Sequence, residues 1–128
     1  MNALTALERM ALDAILAELV TDRPAIEQQL AHVEVLSREN TGGGFFTELA
    51  VPDSQEHLDR KLEPLGQNVW LGIEGLEYGL GMILHFKNGR ASLLEGYAVG
   101  GDDTSATDFA NVSFALINTP GRLPADGR

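Results

Sequence analysis

The 128-residue chain contains no cysteine. It therefore forms no disulfide and carries no thiolate chemistry, which suits a reducing compartment. Basic residues are scarce: 9 Lys and Arg stand against 19 Asp and Glu, a net charge of −10. Phosphate backbones repel such a surface, so nucleic acid is not an expected partner. Long apolar runs are missing as well. None approaches the ~20 residues of a membrane span. The start, MNALTALERMALDAILAELV, has no basic leader, and Glu8, Arg9, Asp13 and Glu18 interrupt its apolar residues, so it does not read as a signal sequence. These absences point to a cytoplasmic protein without a membrane partner. No GxSxG nucleophile motif occurs. His32, His57 and His85 form neither HxH nor HxxxH, and Asp102, Asp103 and Asp108 lack calcium-loop spacing, so neither a metal nor another cofactor is expected.

What is present is a 44% hydrophobic, 22% charged chain long enough to bury one core without staples. Thr5 and Glu8 form a capping box. Leu7, Ala11, Leu12, Ile15, Leu16 and Leu19 recur at helical spacing, which predicts a helix over about 6–20. Asp22 and Pro24 open a second helix that runs to about Ala31. The period then changes. Strands are expected over 32–39, 45–51, 69–75, within 80–97, and over 109–118, with a short helix capped by Ser54 in the polar stretch 52–67. Helices followed by strands argue an α+β fold. Its simplest form lays both helices on one face of a mainly antiparallel sheet of about six strands. The single domain is expected to span 1–118, with a flexible tail over 119–128.

The segment GLGMILHFKNGRASLLEGY reads as a β-hairpin around Asn88-Gly89. A two-residue turn sets Lys87 opposite Arg90, Met82 opposite Glu95, and Gly81 opposite Gly96. Glu95 then stands in a row with Leu80, Met82, Leu84, Phe86, Ala91, Leu93 and Tyr97. An unpaired acid there costs several kcal/mol or stays protonated. It needs a partner: Arg38 is the expected cation, with Tyr97 or Tyr78 as hydroxyl donors. Glu95, Arg38, Glu39, Tyr97, Gly81 and Gly96 thus form a candidate pocket, with Glu95 as a proton-transfer group. The same residues also read as a structural pair, with a notch between the two facing glycines on the opposite face, filled by Trp70, another backbone, a ligand or a second subunit. The turn TGGGFF leads into a strand rather than a helix, unlike a phosphate loop.

The charge is uneven. Residues 1–79 hold 14 acidic and 5 basic side chains, and residues 80–128 hold 5 and 4. Acidity of this kind maintains solubility and favours encounter with a basic protein. Glu48, Asp53, Glu56, Asp59, Glu63, Glu74 and Glu77 are the candidate partner contacts.

The strings SRENTGGGFFTELAVP and GLEYGLGMILHFKNGRASLLEGY resemble a group of small, mostly bacterial proteins. Their pattern runs serine-arginine-glutamate, a TGxGFFT turn, then LEGY. The resemblance covers roughly 35–97 and extends weakly to LTALER. It implies a bacterial source and a compact α+β fold, and it supplies no catalytic residues. Size and acidity are also similar to those of bacterial immunity proteins, an analogy only. The leading expectation is a non-catalytic protein-binding module, monomeric or dimeric. The alternative is a small-molecule or enzymatic pocket around Glu95, Arg38 and Tyr97.

Overall fold

A computed structural model describes residues 3–19, 21–53, 57–58 and 62–124. Two helices, α1 (Ala6–Ala17) and α2 (Arg23–Ala31), precede six strands. The strands are β1 (Glu34–Asn40), β2 (Gly44–Ala50), β3 (Trp70–Ile73), β4 (Leu80–Lys87), β5 (Arg90–Ala98) and β6 (Phe114–Ile117). They form one sheet in the order β1-β2-β5-β4-β3-β6, with every neighbouring pair antiparallel. The expected α+β fold is the observed one. Among the described residues no helix is long and apolar enough to cross a membrane.

Leu7, Ala11, Leu12, Ile15 and Leu16 of α1 and Ile26 and Leu30 of α2 are buried against one face of the sheet. That face supplies Val35, Phe45, Leu49, Leu71, Ile73, Leu80, Met82, Leu84, Ala91 and Leu94. Burying a side chain of this size contributes about 1.5–3 kcal/mol, so this layer holds most of the fold's driving force. The capping box of α1 is present, and the helix closes at Glu18, whose amide donates to the Ile15 carbonyl while the Leu19 amide donates to the Leu16 carbonyl. Asp22 opens α2 by its backbone rather than by a side-chain cap: its φ is 66°, and its carbonyl takes the Ile26 amide.

Two expectations need correction. The sixth strand begins at Phe114, not at 109, because the Asp108 carboxylate takes the Ala110 amide and the Asn111 side chain and holds the chain in a turn. The second concerns the β4–β5 hairpin. Asn88 and Gly89 make the expected turn, with φ of 54° and 76°. Phe86 pairs with Ala91, but His85 pairs with Leu93, so Ser92 is an extra residue in β5. Every later pair is displaced by one. Ile83, not Met82, lies opposite Glu95, and Gly81 lies opposite Tyr97 rather than Gly96. A one-residue slip reverses the faces. Leu80, Met82 and Leu84 stay in the core, while Leu93, Glu95 and Tyr97 turn to the helix-free face.

Residues 119–124 lie along the β3–β4 end of the sheet. The Gly121 amide donates to the Tyr78 carbonyl, and Arg122 pairs with Glu77. The helix expected after Ser54 falls mostly outside the described residues.

Candidate functional site

Among the described residues the buried acid is Glu8, not Glu95. Glu8 is 3% exposed, in the first turn of α1 and on its core-facing stripe with Leu12 and Ile15. Its carboxylate accepts four hydrogen bonds. Oε1 takes the Thr5 amide at 2.8 Å and Arg38 Nη2 at 2.9 Å; Oε2 takes Arg38 Nε at 2.8 Å and Thr47 Oγ1 at 2.7 Å. Burial alone pushes this carboxyl up. The hydrogen bonds from Arg38, Thr47 and Thr5 and the guanidinium charge outweigh it and hold Glu8 below the usual carboxylate range. The hydrogen bond to Glu8 in turn raises Arg38. Glu8 is thus an ionised, saturated anchor rather than a proton donor.

Arg38 and Thr47 reach Glu8 because they face each other across β1 and β2 on the helix side of the sheet. Beside them lies a cavity of about 200 Å³ between the start of α1, these strands and the 107–110 segment. Phe45 and Phe109 form part of its wall, their rings 4.9 Å apart and tilted by 52°. Asn40 fixes that segment: its Nδ2 donates to the Thr104 and Thr107 carbonyls, and its Oδ1 takes the Thr104 hydroxyl. The glycine turn before β2 is tied in the same way. The amides of Gly42, Gly43 and Gly44 donate to the side chains of Asn40, Thr41 and Thr104, which leaves no amide cradle for an anion.

Glu95 stands on the opposite side of the sheet from Arg38 and pairs with His85, Nε2 to Oε1 at 2.9 Å. The expected Arg38–Glu95 pair does not form, because the bulge turns Glu95 away and Glu8 holds the guanidinium. Both members of the His85–Glu95 pair keep access to water, with 33% and 27% of their side chains exposed. Ser92 donates to the His85 carbonyl rather than to the ring, so the three do not form a relay. The two glycines of the proposed notch lie on different faces, and each is covered by an aromatic ring. A Cβ on Gly81 would meet the Tyr97 ring at 2.2 Å, and one on Gly96 would meet the Phe45 ring at 2.4 Å. Tyr97 also contacts Trp70 edge-on at 6.3 Å.

The helix-free face is arranged in cross-strand rows. One row runs Gly44, Tyr97, Gly81, Trp70 and Ile117; the next runs Glu39, Phe46, Glu95 and Ile83; a third runs Ser37, Glu48, Leu93 and His85. Phe46 is 37% exposed, and Ile83, Leu93, Tyr97, Trp70 and Ile117 are half-buried by their neighbours. With strands ~4.8 Å apart, Glu39 and Glu95 flank Phe46 at a backbone separation of about 10 Å.

The remaining acidic candidates are dispersed. Glu48 takes the Ser37 hydroxyl, and Asp53 lies 3.5 Å from Arg90 near the hairpin end of the sheet. Glu63 is exposed. Glu74 and Glu77 belong to the turn before β4, at the other end, where Asp102 takes the Glu77 and Tyr78 amides. Glu56 and Asp59 lie outside the described residues. Among the described residues no three His, Asp or Glu converge as metal ligands would. Glu8, missed as a site residue, had a sequence signal: an acid on the apolar stripe of α1. No protein-family model, curated protein or solved structure matches this chain.

Proposed function

We propose that this protein is a non-catalytic binding module that docks a basic protein partner on the helix-free face of its sheet. The observation that carries the reading is the row Glu39, Phe46, Glu95 and Ile83, with Glu48 beside it. It alternates carboxylates with accessible apolar side chains. A Lys or Arg stem packs on Phe46 while its charged end reaches the flanking acids, which combines apolar burial with cation–π and ionic contact. The chain's charge of −10 adds long-range steering toward such a partner. Glu8, ionised and saturated, offers no general acid, which favours binding over catalysis.

The test is site-specific photo-crosslinking in cells. A benzophenone side chain at position 46 or 83 should give the same protein adduct, and its yield should fall when irradiation is repeated in lysates brought to high salt. The same group at position 10, on the exposed side of α1, should give none. Equal adducts from position 10, or no adduct from 46 and 83, would remove the basis for this face as the docking surface.

A further inference from the structure

The cavity beside Arg38 lies on the helix side of the sheet and shares only Glu39 with the proposed docking row. We propose that it binds a small neutral ligand carrying a flat apolar body and a carbonyl acceptor. Size sets the first limit. At about 200 Å³ the cavity is below the usual ~300–1,000 Å³ of drug-sized sites, yet above the ~150 Å³ that accommodates benzene. A single ring with one substituent fits. The wall is mostly apolar, and the tilted Phe45–Phe109 pair offers a ring an edge-to-face contact.

The polar end is set by Arg38. Its Nε and Nη2 are taken by Glu8 and the Ala3 carbonyl, while Nη1 has no acceptor among the described residues. The free edge is therefore a hydrogen-bond donor, but its positive charge is already matched by Glu8. A carboxylate ligand would find no net charge to neutralise and would meet Asp108 on the cavity lining. A cationic ligand would bring only N–H donors to Nη1, itself a donor, while the carboxylates on the lining are engaged or turned away: Glu8 is saturated, Asp108 takes the Ala110 amide and the Asn111 side chain, and Glu39 shares the opposite face with Phe46. A neutral carbonyl accepts from Nη1 without either penalty.

Amide-resolved NMR titration of the full chain with benzamide, benzoate and benzylamine separates these cases, since the three share a ring and differ in charge. Benzamide should produce saturable shifts at Arg38 Nε, Thr47 and Phe109. The charged analogues should bind at least about fivefold more weakly, the equivalent of one hydrogen bond's net contribution. Ala110→Trp, which fills the cavity from its exposed rim, should abolish the benzamide shifts. Benzoate or benzylamine binding as well as benzamide would overturn the neutral-ligand assignment. Absence of saturable shifts in the wild-type protein, or their persistence in a folded Ala110→Trp variant, would overturn the site itself. Crosslinking from position 46 is independent of either result.

Discussion

At the scale of single residues, the Glu8–Arg38 pair is unequal, and that inequality is measurable. Arg38 keeps 41% of its side chain in water, whereas only 4% of the Glu8 side chain is exposed. Removing the cation strands a buried carboxylate, while removing the acid releases a cation that can hydrate. Arg38→Ala should therefore cost about 3 kcal/mol, near the lower bound for breaking a buried pair. Glu8→Gln should cost about 1–2 kcal/mol, the loss of charge-assisted bonds with the shape kept. The pH dependence is set by the direction of the shift. In the wild type the folded Glu8 is depressed, so its contribution is complete above the unfolded carboxylate value of about 4.3 and is lost as pH falls through the lower folded value. In Arg38→Ala, burial is opposed only by the Thr47 and Thr5 hydrogen bonds, so the variant gains less stability than the wild type as Glu8 ionises with rising pH. The gap between the two should widen from about pH 3 to 6 in urea titrations. A gap independent of pH would show that Glu8 does not depend on Arg38 for its charge. The sequence rule at work, that an acid in an apolar row needs a cation, holds here for Glu8. Applied to Glu95 it fails, because the regular hairpin register that places this acid in the core row is broken by the bulge.

At the scale of elements, that register error traces to Ser92. Helix-then-strand order, the α1 capping box and the Asn88-Gly89 turn are local patterns, and each was legible in the sequence. The bulge was not, because its surroundings are set by a residue far away in the chain. Gln29 of α2 donates to the Gly89 carbonyl at 2.9 Å and accepts the Ala91 amide at 2.9 Å, so the helix clasps the hairpin end. No window around residues 80–97 contains that contact. The sixth strand is shorter than its sequence predicts for a related reason: the apolar residues from Phe109 onward conceal the Asp108 side-chain turn. The bulge makes an unusual deletion prediction. Removing Ser92 brings Ala91 and Leu93 into regular succession, keeps His85 opposite Leu93, and leaves Glu95 beside His85. That variant should remain cooperatively folded. Removing Leu94 instead shifts Glu95 into the place of a fully buried leucine and reverses the faces of the remaining β5 residues. It should not fold. Paired thermal melts of the two deletions distinguish them, and unfolding of both would mean the bulge is itself required for the sheet's twist.

At the scale of the whole molecule, the charge of −10 acts on folding and on docking with opposite signs. The described ion pairs involving Arg38, Arg90 and Arg122 engage cations already in short supply, so most carboxylates repel one another across the surface. At ~10 mM salt the screening length is about 30 Å, comparable to a small domain; toward 1 M it falls to about 3 Å. Raising NaCl from low to about 0.5 M should therefore relieve self-repulsion and raise the Tm, by roughly 2–8 °C for about 1 kcal/mol in domains bracketing this size. KCl should act as NaCl does, since the effect is screening. The Arg38→Ala penalty should change little with salt, because the Glu8 carboxylate is shielded from solvent. Docking should respond the other way: attraction to a basic partner is screened by the salt that relieves repulsion within the chain. Differential scanning calorimetry and a salt series on the position-46 crosslink measure the two slopes on the same protein. A Tm that falls with NaCl would mean that local ion pairs outweigh self-repulsion in the fold. The net charge would still attract a basic partner, so a crosslink yield that does not fall with salt would leave only the apolar row around Phe46 to support docking.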